Sequence, residues 1–288
     1  MSRRAAAFLL CAGLSGTLVA ASPEWRYSVR PGDTLIGVSE RYLARPAQWP
    51  RLQTLNAVAD PRRLMPGSTL RIPVNLLKRQ PAPATVVAVV GDVRVGARRL
   101  AVGDALPAGT EILVGVDSGA SLRFADGSLV ALEPGARLVL DSVSVYAGGG
   151  MADTRLRLQQ GRVEARANPR RAAGGRFEVR TPSAVAAVRG TQFRVEAEAG
   201  VTREETLSGA VAVAAARRNV NVPAGQGTLA RAGQAPLPPR PLLAAPALAG
   251  LPARIEQLPL RFEWPAQAGA ADWIAQISPD PEFRVVAA

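Results

Sequence analysis

The chain has 288 residues, of which 48% are hydrophobic and only 5% aromatic, so we expect about two domains with cores of Val, Leu and Ala. It has no histidine, and Cys11 is its single cysteine, which excludes a Cys/His peptidase or a zinc site with histidine ligands. The formal net charge is +12, but the arginines are spread along the chain and do not form runs with interleaved aromatic residues. This spread predicts no nucleic-acid partner, and we attribute the charge to a general bias toward arginine.

The first predicted element is an export signal over residues 1–21. Arg3 and Arg4 form a short positive start, an apolar stretch follows from Ala5 to Leu14, and small residues precede a cleavage site after Ala21. A membrane anchor is the alternative, but it is disfavoured because a bilayer needs about 20 apolar residues. We therefore predict an exported mature chain without cysteine and without a transmembrane span.

A compact module is predicted between residues 24 and 74, with the element order strand, helix, helix, strand. Alternation of apolar and polar residues from Tyr27 to Arg30 predicts the first strand, and Pro31-Gly32 ends it. Asp33 and Thr34 both suit the N-cap of a helix, because their side-chain oxygens accept bonds from free backbone amides. The apolar positions that predict the two helices and the last strand are Leu35, Val38 and Tyr42, then Trp49, Leu52 and Leu55, then Leu70 and Ile72.

This module resembles the LysM family, above all in the motif Tyr27-x-Val29-x-x-Gly32-Asp33-Thr34-Leu35. Its second half agrees, with Leu55-Asn56, Pro66-Gly67 and Leu70-x-Ile72-Pro73 at near-correct spacing. The family fold has two antiparallel strands with two helices on one face, and its members bind glycans that contain N-acetylglucosamine, such as peptidoglycan or chitin. The resemblance thus implies the same fold and a glycan partner for this chain.

In LysM proteins the glycan lies in a shallow groove between the loop after the first strand and the loop before the second. Carried over to this chain, the glycan-binding residues are Gly32, Asp33, Thr34, Leu35, Ile36, Asn56, Ala57, Leu64 and Met65. An alternative stays open for four of them, since Leu35 and Leu64 can be core residues and Asp33 and Thr34 can be helix caps. Family members often have an aromatic residue at the position of Ile36, so we expect weaker sugar stacking and, with a single module, weak binding.

Residues 75–84 contain alternating proline and alanine, which predicts an extended, semi-rigid linker. From 85 to 230, short apolar runs recur about every 8–12 residues, which indicates an all-β domain. Asp126-Gly127 between two alternating runs predicts a hairpin, and Gln160-Gly161 predicts a further turn between two strands.

This region resembles the FecR-type periplasmic domain in Gly91-Asp92-Val93, in Phe124-x-Asp126-Gly127-Ser128 and in the long motif from Thr181 to Phe193. Family members are β-rich, and some have solenoid-like stacking of strands. Some relay a signal from a siderophore receptor to a membrane-bound regulator of a sigma factor. Within the long motif, Arg189 is predicted to bond backbone carbonyls at a strand turn, with ligand binding as the alternative.

Residues 231–255 are rich in proline and are predicted to be a linker. Residues 256–288 contain apolar and aromatic runs that resemble the first strands of a fibronectin type III or immunoglobulin-like module. Because such a sandwich needs about 100 residues, we expect only a partial one. The predicted fold is therefore multidomain: a small β-α-α-β module, a larger all-β domain and a partial β-sandwich-like segment.

These features predict a non-catalytic peptidoglycan-binding protein of the periplasm, associated with the cell wall through one LysM groove. The FecR-type domain would be a scaffold or would bind another envelope protein. We predict no catalytic residues, no metal and no cofactor, since a glycosidase would need a catalytic domain around paired carboxylates. The alternative is an envelope sensor that relays a signal through the FecR-type domain, which a neighbouring sigma-factor gene would favour.

Overall fold

The computed structural model describes residues 23–148, 150–169, 174–188, 190–246 and 266–270. The predicted signal peptide, Arg189 and all but 266–270 of the partial sandwich at 256–288 lie outside the described residues. Within the part of the chain that is described, no helix is long and apolar enough to cross a membrane.

The N-terminal module has the predicted order of strand, helix, helix and strand. Its elements are β1 (Glu24–Ser28), α1 (Leu35–Tyr42), α2 (Trp49–Asn56) and β2 (Thr69–Pro73). The two strands are antiparallel, with Glu24 opposite Pro73 and Ser28 opposite Thr69. The apolar positions that predicted the helices, such as Leu35 and Leu52, are completely buried and pack with Ile72 of β2 in one core.

The second domain consists of two β-sheets that share one long strand, in agreement with the all-β domain that the recurring apolar runs predicted. Its strands are β3 (Arg79–Pro81), β4 (Ala84–Val90), β5 (Val93–Val95), β6 (Arg98–Arg99), β7 (Ala105–Leu106), β8 (Glu111–Val114), β9 (Gly119–Arg123), β10 (Leu129–Leu132), β11 (Arg137–Tyr146), β12 (Ala152–Arg166), β13 (Arg176–Arg180), β14 (Val185–Val188), β15 (Gln192–Glu198), β16 (Val201–Ser208), β17 (Ala210–Ala215), β18 (Arg218–Pro223), β19 (Gln226–Arg231) and β20 (Arg240–Pro241).

The two sheets enclose an apolar core. One sheet has the strand order β6-β5-β8-β11-β12-β13-β14-β17-β18. The other has the order β7-β4-β9-β10-β12-β15-β16-β19-β20. Neighbouring strands are antiparallel except β12 and β13, which are parallel. Val, Leu and Ala fill most of the core, and Phe124, Phe177 and Phe193 meet edge to face within it at ring-centroid distances of 6.0 and 6.3 Å.

Gly161 carries the shared strand from one sheet to the other. The structure shows one continuous strand through Gln160-Gly161, so the turn predicted at this point is wrong. Residues before Gly161 pair with β11, and residues from Gly161 onward pair with β15. Gly161 has a φ of +82°, and a Cβ there would lie 2.6 Å from the Cα of Ala136. The glycine therefore permits a bend and a close backbone contact inside a strand.

The two domains pack together through the connection between β11 and β12. Tyr146 and Met151, at the two ends of this connection, are buried in the core of the N-terminal module. Gly148 lies against the indole of Trp25, so a Cβ at Gly148 would lie 2.6 Å from that ring. The Arg79 guanidinium lies 5.1 Å from the centroid of the Tyr146 ring. We call these five residues the interdomain interface.

The segment 75–84, expected as a linker, takes part in this packing. A 3-10 turn at Val74–Leu76 precedes β3, and β3 pairs with β11. The Lys78 amide donates to the Tyr42 carbonyl at 2.8 Å, and the Lys78 carbonyl accepts from the Ala147 amide at 2.9 Å. The backbone of this segment is therefore bonded to both domains.

The described part of the proline-rich segment, residues 231–246, lies along β19. The Leu237 amide donates to the Leu229 carbonyl at 2.9 Å, and the Leu242 amide donates to the Gly225 carbonyl at 2.8 Å. Strand β20 pairs with β19 in the same segment. These bonds attach the segment to the second sheet.

Candidate functional site

The two loops that the LysM resemblance predicts as a groove lie side by side. The first loop leads from β1 into α1 and, together with the first two residues of that helix, covers residues 29–36. The second loop, residues 57–68, joins α2 to β2. The Leu35 amide donates to the Pro61 carbonyl at 2.8 Å, and this bond ties the loops together. We call the surface that the two loops form the groove.

Asp33 holds the first loop in shape. Its Oδ2 accepts bonds from the Tyr27 hydroxyl at 2.5 Å and the Arg30 amide at 2.8 Å, and its Oδ1 accepts from Arg41 at 3.4 Å. Burial alone would raise the pKa of Asp33, but these bonds outweigh it, and the pKa lies below its ordinary value. Burial, followed by the bond to Asp33, raises the pKa of Tyr27 to about 12. Asp33 is thus a buried charged anchor for the loop.

Thr34 and Leu35 begin the first helix. Thr34 is the N-cap, and its Oγ1 accepts a bond from the Gly37 amide at 3.0 Å. The Leu35 side chain is completely buried. The structure therefore places the capping role at Thr34 and puts Leu35 in the core, while Asp33 makes no capping bond to the helix.

Asn56 fixes the end of α2 to β2. Its Nδ2 donates to the carbonyls of Leu52 and Arg71, both at 2.9 Å, and its Oδ1 accepts from the Arg71 amide at 2.7 Å. Ala57 follows in the left-handed conformation, with a φ of 50°, and ends the helix. The Asn56 side chain is therefore occupied by the backbone that frames the second loop.

The remaining predicted residues form the accessible surface of the groove. Met65 is 75% exposed and Ile36 is 36% exposed, while Leu64 is half-buried against the core. Gly32 and Ala57 are also exposed. Within the described residues the Ile36 amide donates to no protein group, as is usual in the first turn of a helix. The groove thus offers a small apolar surface beside a free backbone donor.

This combination suits an N-acetylated sugar, which presents methyl and ring C–H groups together with amide and hydroxyl groups. The apolar part is small, since Ile36 and Met65 are the large exposed side chains of the two loops. In the part of the chain that the structure describes, no group of three or more His, Cys, Asp or Glu side chains is placed to hold a metal ion. At Ile36 and Met65, contact with such a sugar would be apolar, and the free Ile36 amide beside them could donate a hydrogen bond to it.

The groove lies at one end of the module and the interdomain interface at the other. Strand β1 begins beside the interface, at Trp25, and leads into the first groove loop after Ser28. Helix α1 begins in the groove at Leu35 and ends at Tyr42, whose carbonyl bonds the joining segment. The eight residues of α1 span about 12 Å, which separates the groove end of the module from the interface end. The second domain is thus docked where it leaves the groove open.

Sequence reasoning missed three arginines at the groove, because it treated all arginines as a general bias. Arg30 lies in the first loop, and Arg62 and Arg63 lie in the second, all with exposed side chains. Two other arginines of the module are paired, Arg41 with Asp33 and Arg71 with Glu24. The sequence could have indicated these three arginines, because each lies within two residues of a predicted groove residue.

Two models of protein families match the two domains. The LysM domain model matches residues 27–73, and the FecR protein model matches residues 110–212. No curated protein matches the chain. Two crystal structures of a candidate anti-sigma factor from Parabacteroides distasonis are similar, each at 20% identity over 46% of this chain, with TM-scores of 0.38 and 0.37. The match spans 59% of the length of that protein.

Proposed function

We propose that this chain, which carries a LysM domain followed by a FecR domain, is a non-catalytic peptidoglycan-binding protein of the bacterial periplasm. The observation that carries the proposal is the groove of the LysM domain. Its two loops are bonded to each other, its apolar side chains Ile36 and Met65 are exposed, and the FecR domain is docked at the opposite end. A long glycan strand therefore has access to the groove.

Within this proposal the nine predicted site residues divide into two groups. Gly32, Ile36, Ala57, Leu64 and Met65 contact the glycan, since they form the accessible surface of the groove. The other four hold the loops in place through a buried side chain or hydrogen bonds, namely Asp33, Thr34, Leu35 and Asn56. Substitution of the exposed side chains of the first group, Ile36 and Met65, should weaken binding without unfolding the domain, whereas substitution of the second group should destabilise the domain.

The FecR domain is proposed to be a rigid scaffold that also binds another envelope protein. Its second sheet is buried on one face and carries linked ion pairs on the other. The Arg194 side chain lies 3.0 Å from Glu164, and Glu196 lies 3.3 Å from Arg162 and 3.1 Å from Arg203. A network of this kind orders the surface of the sheet and presents a fixed pattern of charge to a partner.

Envelope signalling is the second candidate function, in which the FecR domain relays the state of the groove. The buried interdomain interface favours it, because Tyr146 and Met151 of the FecR domain lie in the LysM core. In a sensor, these two residues would be the route by which a change in the LysM domain reaches the β11–β12 connection. The test is a reporter of an envelope sigma factor in cells that carry Ile36→Asp, since a sensor requires an altered reporter signal when glycan binding is lost.

Co-sedimentation of the full chain with purified sacculi tests the main proposal. Ile36→Asp and Met65→Asp each place a charge on an exposed apolar position of the groove, and both should remain in the supernatant. Val116→Asp is the matched control, because Val116 is an 83% exposed apolar residue of the FecR domain. The control should sediment like the unmodified chain. An unmodified chain that stays in the supernatant, or a Val116→Asp variant that alone loses binding, would contradict the proposal.

A further inference from the structure

Three exposed arginines border the groove, and their charges are not neutralised by the protein. Arg30 lies in the first loop, and Arg62 and Arg63 lie in the second. Among the described residues, no carboxylate lies within 4.0 Å of any of these three guanidinium groups. We call them the arginine rim. Most of the exposed arginines on the FecR sheets differ, because they pair with acidic neighbours such as Glu178 and Glu196.

The backbone fixes the rim beside the groove. The Arg63 amide donates to the Asp60 carbonyl at 3.2 Å, which closes a tight turn with Pro61 and Arg62 at its centre. The Asp60 carboxylate accepts from the Arg62 amide at 2.8 Å, so it stabilises the turn from within. Pro61 is also the residue whose carbonyl is bonded to Leu35 of the first loop. The turn that carries two of the arginines is therefore attached directly to the start of α1.

The third arginine is held from the other side. The Arg30 amide donates to Oδ2 of Asp33 at 2.8 Å, which places Arg30 at the entrance of the first loop. The negative charge of Asp33 does not cancel the rim, because that carboxylate is buried and interacts with Arg41. Asp60 is the acidic residue of the second loop, and it leaves the rim with an excess of positive charge.

From this arrangement we infer that the groove selects glycan strands that carry carboxylates over neutral polymers of N-acetylglucosamine. This inference rests on the proposed glycan-binding function. Guanidinium groups bond carboxylates in a bidentate geometry, whereas a neutral sugar offers them only hydroxyl and carbonyl acceptors. In peptidoglycan, every second sugar carries a lactyl group, which is itself a carboxylate or bears a peptide stem with carboxylates. The rim recognises this shared carboxylate chemistry while Ile36 and Met65 contact the sugar.

The rim adds affinity where the apolar surface is small. Exposed ion pairs contribute little each, so loss of two arginines should weaken binding about fivefold, which is about 1 kcal/mol. Exposed charges are screened over about 8 Å at physiological salt, so the contribution of the rim should also fall as salt increases. Binding of a neutral oligosaccharide should respond neither to the loss of the two arginines nor to an increase in salt.

The test compares the full chain with the variant Arg62→Gln/Arg63→Gln on three ligands: intact sacculi, sacculi stripped of their peptides, and soluble N-acetylglucosamine oligomers. Arg45→Gln/Arg51→Gln is the matched control, because these exposed arginines lie before and in the first turn of α2, at the end away from Asn56 and the groove. We expect about fivefold weaker binding of sacculi and a smaller salt dependence in the rim variant. Its binding of neutral oligomers should equal that of the unmodified chain.

The outcomes separate the inference from the proposed function. If the unmodified chain binds none of the ligands, the proposed function fails. If it binds sacculi and neutral oligomers equally and the rim variant is unaffected, the function stands and the inference is overturned. Weakened binding of all three ligands by the rim variant would also overturn it, since the turn would then act only through its shape. If the unmodified chain still prefers stripped sacculi over neutral oligomers, the recognised carboxylate is that of the lactyl group. If that preference is lost when the peptides are removed, the recognised carboxylates are those of the peptide stems.

Discussion

Replacement of Met151 by alanine should destabilise the LysM domain, although Met151 belongs to the FecR domain. Its side chain is completely buried in the core that contains Leu35, Leu52 and Ile72. Truncation of a buried methionine costs about 2–5 kcal/mol, because the lost contacts leave a cavity. At about 2–4 °C per kcal/mol, a loss of about 3 kcal/mol lowers the melting temperature by about 6–12 °C.

Thermal unfolding of the full chain gives this magnitude, and amide hydrogen exchange locates it. Exchange over residues 25–77 should accelerate in Met151→Ala, because the interface supports the LysM core. Met65→Ala is the matched control, since the same atoms are removed from a side chain that is 75% exposed. Its stability should change by less than about 0.5 kcal/mol. Unchanged exchange over residues 25–77 in Met151→Ala would refute a shared core between the domains.

Two further predictions concern the FecR domain, and chemical denaturation tests both. Gly161→Ala should lower the free energy of unfolding by about 2–5 kcal/mol, because the new Cβ would lie 2.6 Å from the Ala136 backbone and the φ of this residue is +82°. Gly135→Ala is the matched control: its φ is +74° but no atom lies near the new Cβ, so it should lower the free energy of unfolding by only about 1 kcal/mol. Equal losses would contradict the close contact. Burial raises the pKa of Glu204 from 4.5 to about 8, so the folded protein favours the neutral carboxyl. The stabilisation that this provides is complete below about pH 4.5 and is lost as the pH rises to about 8. Glu204→Gln should remove this decline, which is on the order of 1.4 kcal/mol per pH unit, and an unchanged pH dependence would show that Glu204 ionises freely in the folded state.

The local patterns of the chain predicted its elements well where one side of an element is buried. The helical spacing of Leu35 and Val38 identified α1, because a short amphipathic helix shows its buried face in its own sequence. Asp126-Gly127 correctly predicted the hairpin of β9 and β10, where Asp126 accepts from the Ser128 amide at 3.0 Å. Both features depend on residues that are neighbours in the chain.

Features that depend on distant residues were not predictable in the same way. Gly161 has the sequence context of a turn, and only its pairing with distant residues of β15, beside the pairing of Gln160 with β11, shows that a strand continues through it. Tyr146 and Met151 read as ordinary apolar residues of the second domain, yet their partners lie in the first. The motif named Asp33 as a groove residue, but it gave no sign that the Asp33 carboxylate is buried and bonded to the Tyr27 hydroxyl.

The most direct test of the central claim is a nuclear magnetic resonance titration of the labelled full chain with soluble peptidoglycan fragments. Glycan binding in the groove predicts chemical-shift changes that centre on the amides of Gly32, Ile36, Ala57 and Met65. The Ile36 amide should shift strongly, because it is a donor with no partner among the described protein groups. Changes confined to residues 79–231, with the groove amides unmoved, would contradict the account and place glycan binding in the FecR domain.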